Sequence, residues 1–120
     1  PGMHDDMWCS SKEWLAANEA MAIEICKAQL TAAKWFREDK AGWLALAKEK
    51  VEALDETIAL QLYDVMYEMD MFPLNGLMSV ASLTTTADFL SAAGVFPQQP
   101  ISNWSDLKYM EEARKQLGIQ

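Results

Sequence analysis

Residues 19–36 read EAMAIEICKAQLTAAKWF, and this stretch is the longest helical pattern in the chain. Its apolar residues recur at steps of three and four, which places them along one face of a helix. Several alanines on the stretch would let a neighbouring helix approach closely. The pattern therefore predicts a long amphipathic helix packed against a neighbour. Its expected buried residues are Ala22, Ile23, Cys26, Leu30, Ala33, Trp35 and Phe36.

The segments on either side also follow helical periodicity. Ser10 or Ser11 can cap a short helix before the long one, and Asp39 can cap a helix after it. Asp55 and Glu56 suit the first turn of a fourth helix, because the helix dipole favours acidic residues there. The expected inward residues are Trp43, Leu44, Leu46 and Ala47 in the third helix, and Ile58, Leu62, Val65, Met66 and Met69 in the fourth.

Turn residues divide the rest of the chain. A Pro-Leu-Asn-Gly turn at 73–76 precedes a helix predicted over residues 77–93, which Gly94 would end. Pro97 and Pro100 hold the following stretch as a loop, and a last helix is predicted from near Ser105 to Gly118. The sequence therefore predicts an all-α array of five to six helices in one domain over residues 1–120. One short N-terminal strand is allowed, over Asp5 to Ser10.

Charge and composition limit the classes of partner. The chain has 120 residues and a net charge of −8, from 18 acidic and 10 basic residues. Such a surface repels phosphate backbones, so we expect no nucleic acid as a partner. No apolar run is long enough to cross a bilayer, and the acidic N-terminus has no apolar signal segment. These features leave the cellular compartment open.

The chemistry-bearing residues do not form a catalytic pattern. His4 is the only histidine, and no nucleophile is placed beside it by a motif. The run His4-Asp5-Asp6 is more typical of a disordered terminus than of a metal site. Cys9 and Cys26 form no CxxC pair and are interpreted as small apolar side chains rather than as a disulfide. We therefore expect no catalytic residue, no metal and no cofactor, and the chain is not interpreted as an enzyme.

Five tryptophans are the outlying feature of the composition. Trp14, Trp35 and Trp43 lie on predicted helices and are expected to anchor helix packing. Trp8 and Trp104 lie in segments predicted to be non-helical. These two are the better candidates for contact with a molecule outside the chain.

Four stretches, taken in order, carry a family resemblance. Asp6–Glu19 reads DMWCSSKEWLAANE and resembles a pattern Ser/Asp-x-x-Trp/Phe-Leu/Ala-x-x-Asn-Pro, with Glu19 where Pro is usual. Lys27–Phe36 resembles a long helix that ends in Ala-x-x-Trp. Thr86–Val95 resembles a later helix with its glycine stop, and Asp106–Ala113 is similar to a closing helix Asp-x-x-Tyr/Phe-Leu-Glu-Glu-Ala. Together they resemble the C-terminal portion of the periplasmic substrate-binding proteins of ABC importers for nitrate, sulfonate, taurine and thiamine-precursor pyrimidines.

The resemblance implies a function and a site. It implies a two-lobed α/β parent, of which this chain is the C-terminal part, in the periplasm or another extracytoplasmic compartment. Its partners would be a small anionic or heteroaromatic solute and a membrane permease. Only Asp5 and Trp8, near the crossover between lobes, would contribute to ligand binding. The chain on its own would expose helix faces that normally cover a sheet, so we expect a homo-oligomer.

A second interpretation remains open. If Pro1-Gly2 is a remnant of expression and Met3 a true start, the chain is a free-standing small helical protein in the cytoplasm. It would then act as a protein–protein interaction module with no small-molecule role. Both interpretations predict no turnover.

Overall fold

The computed structural model describes residues 8–74, 76 and 79–119, and within them it contains six α-helices, one 3₁₀ turn and no strand. The predicted all-α fold is confirmed. The allowed N-terminal strand lies partly outside the described residues, and its described part, 8–10, is not in a strand. The helices are α1 (Lys12–Ala17), α2 (Glu19–Glu38), α3 (Lys40–Lys50), α4 (Glu56–Glu68), α5 (Val80–Ala92) and α6 (Lys108–Leu117), with the 3₁₀ turn at Ile101–Asn103.

Side-chain caps begin the helices much as the sequence predicts. Ser11 accepts a hydrogen bond from the Trp14 amide at 3.0 Å, and Asp39 accepts one from Gly42 at 2.8 Å. Asp55 caps α4 in the same way, at 3.0 Å from the Ile58 amide. These side chains satisfy amides that have no partner inside their helix.

Two predicted helix starts are too early. The helix predicted from residue 77 begins at Val80, since Ser79 caps it in a reciprocal capping box with Ser82; residues 77 and 78 themselves lie outside the described residues. The helix expected from Ser105 begins at Lys108, because the Ser105 amide is bound to the Ile101 carbonyl of the 3₁₀ turn at 2.9 Å.

Left-handed residues end three helices. Gly94 and Gly118 have φ angles of 71° and 68°, which confirms both predicted glycine stops. In each case the next amide bonds back to the helix, Val95 to the Leu90 carbonyl and Ile119 to the Arg114 carbonyl, both at 2.9 Å. Asp70 ends α4 in the same conformation, with a φ of 51°.

The core forms around α2, which packs most extensively against α6 and also contacts α1 and α3. Leu30 is 1% exposed and Ala113 of α6 is 0% exposed. The predicted inward face of α2 is largely confirmed, with Ile23, Cys26 and Trp35 half-buried and the rest buried. None of the helices in the described part of the chain is long and apolar enough to cross a membrane.

The predicted inward face of α4 is wrong except at Met66, which is half-buried. The buried residues of α4 are Ala59 and Tyr63. The helix is therefore turned by about one residue, or about 100°, from the predicted orientation. Leu46 of α3, also predicted to face inward, is exposed. The expected inward residues that lie on the surface of α4 are Ile58 (61% exposed), Leu62 (50%), Val65 (50%) and Met69 (71%).

The helices form an open arrangement. The Cα radius of gyration is 16.7 Å, against about 14 Å for a compact domain of this length. The principal extents are 44 × 36 × 28 Å. A helix with an apolar face is stable when a second layer covers that face. The open arrangement leaves such a face uncovered on α4.

Candidate functional site

A stripe of apolar side chains on the surface of α4 is the candidate site. It consists of Ile58, Leu62 and Val65 of α4 and of Met69, the residue that directly follows the helix, and is called the α4 seam below. Successive members are four, three and four residues apart, so they lie along one side of the helix. The polar residues Thr57, Gln61 and Glu68, all exposed, lie beside it. An exposed apolar stripe with a polar rim is typical of a surface that binds another protein.

Tyr63 determines which side of α4 faces the core. Its ring lies 4.6 Å from the Phe36 ring and 5.3 Å from the Trp43 ring, measured between centroids. Its hydroxyl donates a 2.6 Å hydrogen bond to the Phe36 carbonyl. Phe36 lies in the last turn of α2, where carbonyls have no partner within the helix. Because Tyr63 must face α2 to make these contacts, the α4 seam faces outward.

Ion pairs hold α4 to α2 and α3. Lys48 of α3 pairs with Glu56 at 2.6 Å, and Lys40 pairs with Asp64. After α4, Asp70 pairs with Arg37 of α2, and this hydrogen bond raises the pKa of the Arg37 guanidinium. Each of the three carboxylates, Glu56, Asp64 and Asp70, is therefore paired with a cation of the same chain. The α4 seam itself contains no charged residue.

The two residues predicted to bind a solute do not form a described cleft. Asp5 lies outside the described residues. Trp8 is 74% exposed and lies before α1. Two grooves described below do not include it. The prediction that Asp5 and Trp8 bind a solute therefore stays a prediction.

The other tryptophans differ partly from expectation. Trp104 was predicted to contact an external molecule, but it is half-buried with its ring edge-to-face on Phe96 at 5.8 Å. Its indole N–H is buried and has no hydrogen-bond partner among the described residues. Trp35 and Trp43 are half-buried, as predicted, whereas Trp14 is 39% exposed and does not anchor a core.

An open groove of about 610 Å³ crosses α2, α3 and the end of α6. Three of its polar residues are already engaged: Lys27 pairs with Glu24 at 2.8 Å, and Thr31 donates to the Lys27 carbonyl at 2.8 Å. A small-molecule site generally needs a few convergent polar groups to orient the ligand. The cation that lines this groove, Lys27, is already paired, so the groove does not suit an anionic solute. Its lining consists of Glu24, Lys27, Ala28, Thr31, Ala32, Trp35, Leu46 and Leu117.

A second groove, of about 450 Å³, lies between α5 and the loop at 98–101. Asp88 is its charged residue, and a carboxylate opposes an anionic ligand. The Thr84 hydroxyl is engaged with the Val80 carbonyl at 2.8 Å. This groove is therefore also a poor fit for sulfonate or nitrate.

No group of His, Cys, Asp and Glu that could hold a metal ion occurs among the described residues. Cys26 is a free, half-buried thiol, so the structure does not join it to Cys9. Burial raises the pKa of the Cys26 thiol above its ordinary value of 9.0. The thiol is therefore protonated at neutral pH and is a weak nucleophile.

Comparison of the chain with protein-family models, with curated proteins and with solved structures found no match. The family resemblance carried by the four sequence stretches therefore stays a prediction. The α4 seam is the surface on which a proposal can be based, since its geometry is independent of that resemblance.

Proposed function

We propose that the chain is a non-catalytic binding component that acts by docking the α4 seam on an apolar protein surface. One observation carries this proposal: four apolar side chains, each at least half exposed, lie in line on a helix that the core holds firmly. Burial of apolar area is the main favourable term in protein association. Docking of the α4 seam on a partner would bury apolar area and so gain this free energy.

The position of the seam supports docking rather than misplacement of α4. The opposite side of the helix is fixed by the Tyr63 hydroxyl and by ion pairs from Lys40 and Lys48. Rotating α4 to bury the seam would break all of these contacts. The seam can therefore be covered only by atoms from beyond the described arrangement, which is the role of a partner surface.

Site-specific photocrosslinking tests the docking function. We expect p-benzoylphenylalanine at position 62 to form a covalent adduct in cells that produce the protein. The same probe at position 57 should form far fewer, because Thr57 is exposed on the same helix but lies off the seam. Adding Val65→Asp should abolish the adduct at 62, since it places a charge in the apolar contact. Equal adduct formation at 62 and 57 would show that the seam is not a docking surface.

The solute-binding component of an ABC importer is the second candidate. It rests on the family resemblance, and the α4 seam favours it because helices of an α/β lobe bury such a face on a sheet. In this form the docking partner is the rest of a two-lobed parent. The parent would deliver a small anionic or heteroaromatic solute to a membrane permease.

Thermal unfolding with nitrate, taurine and a pyrimidine tests this second candidate. A ligand that binds only the native state raises the melting temperature, so a longer parent chain should respond to one of them. The present chain should not, because Lys27, the cation that lines its larger described groove, is already paired with Glu24. A response of this chain that is lost in Trp8→Ala or Asp5→Ala would instead place the site here. No response from either chain would reject the candidate.

A further inference from the structure

We propose that the α4 seam pairs with the same seam of a second copy, with the two helices antiparallel about a two-fold axis between Leu62 and Val65. This inference rests on the proposed docking function and names its partner. The family resemblance already implies a homo-oligomer, but the surface proposed for it here is taken from the structure.

The spacing of the seam is the first support. Its steps of four, three and four residues read the same from either end. An antiparallel copy therefore presents the same pattern, with Ile58 opposite Met69 of the copy and Leu62 opposite Val65. A two-fold contact needs such a self-complementary patch, and apolar steps of three and four are those used in helix pairing.

The charges beside the seam are the second support. The chain has a net charge of −8, so two copies repel one another at long range. Near the seam, however, Glu56 and Asp64 are paired with lysines of their own chain. Glu68 is the acid beside the seam, and in the antiparallel arrangement it lies at the level of Ala59 of the copy rather than of another acid. The contact is therefore free of like charges face to face.

The surface area that the seam can bury limits the strength of the pairing between two copies. A stable dimer generally buries about 800 Å² per partner, and a 13-residue helix is only about 20 Å long. Four side chains on it provide less than that area, so the pairing should be reversible and favoured at high protein concentration. Salt should strengthen it, because screening reduces the long-range repulsion between acidic copies.

Disulfide trapping tests the orientation. Two chains are made in a background in which Cys9 and Cys26 are alanine, one with Ile58→Cys and the other with Met69→Cys. In the antiparallel pair, positions 58 and 69 of the two copies are level, whereas the two 58 positions are about 16 Å apart along the axis. Disulfides need Cα atoms within about 7 Å. Under a glutathione redox buffer, an equimolar mixture should therefore give the mixed 58–69 dimer in about five-fold excess over either like dimer.

A matched control uses Thr57→Cys in place of Ile58→Cys, which turns the thiol about 100° off the seam. It should lower the excess of mixed dimer to the about two-fold ratio that random pairing of two chains gives. A mixed-dimer excess no larger than that of the control, an excess of the 58–58 dimer, or a monomer in sedimentation at submillimolar concentration would each overturn the inference. If these results come with an adduct at position 62 to a different protein, self-pairing fails while the docking function stands. If no adduct forms at 62 either, both fail.

Discussion

Leu30→Ala is expected to lower the free energy of unfolding by about 3 kcal/mol. Leu30 is 1% exposed and lies on the face of α2 that packs against α6. Its Cδ2 atom also lies beside Gly76, so the same side chain packs on the turn after α4. Removing three carbons at this junction loses apolar burial and leaves a cavity between three segments. Urea unfolding followed by far-UV circular dichroism measures the change.

The same substitution at an exposed leucine is the control. Leu46→Ala removes the same atoms from a side chain that is 43% exposed, so it should cost less than about 1 kcal/mol. Similar losses for the two variants would contradict the position of Leu30 in the core. The dependence of unfolding on urea should have the same slope in both variants, because neither changes the area exposed on unfolding by much.

Local signals in the sequence were sufficient to predict the helices. Ser11, Asp39 and Asp55 cap the helices predicted for them, and Gly94 and Gly118 end two others. These signals work because each satisfies backbone groups of a single helix end, without any tertiary contact. The start of α6 was predicted too early because a 3₁₀ turn, Ile101–Asn103, precedes the helix. The Asp106 carboxylate accepts a hydrogen bond from the Lys108 amide only after that turn, at the residue where α6 begins. The sequence contains only weak signals for that 3₁₀ turn.

The orientation of α4 could not be read from periodicity. Its sequence has two apolar faces, one through Ile58 and Leu62 and the other through Ala59 and Tyr63. The first has more aliphatic area, so hydrophobicity alone favours burying it. The structure buries the second because Tyr63 combines ring contacts with a hydrogen bond to a carbonyl at the end of α2. The sequence signal for an exposed apolar stripe was the presence of apolar residues on two faces of the same helix.

The predicted solute contacts were of a different kind. Asp5 and Trp8 came from a resemblance in chain order, and order does not place a side chain in space. The α4 seam, in contrast, follows from exposures and spacings within one helix. The docking proposal can therefore be argued from the described residues alone, whereas the solute proposal rests on the resemblance.

Tyr63→Ala is expected to lower the free energy of unfolding by about 4 kcal/mol, the typical cost of removing a buried aromatic ring. Tyr63 is 4% exposed and contacts Phe36 and Trp43. Urea unfolding measures the loss. Tyr67→Ala is the matched control, because the Tyr67 ring lies one turn further along α4 and is 44% exposed. A loss no larger than that of the control would contradict the role of Tyr63 as the anchor of α4.

Tyr63→Phe separates the hydroxyl from the ring. It keeps the ring contacts but leaves the Phe36 carbonyl without its 2.6 Å donor, so it should cost about 1.5 kcal/mol. Because the ring holds α4 with its seam outward, Tyr63→Ala should also reduce photocrosslinking at position 62, although Tyr63 is not in the seam. Tyr63→Phe should retain most of that crosslinking. Full crosslinking in a folded Tyr63→Ala variant would mean that the ion pairs from Lys40 and Lys48 are enough to orient the helix.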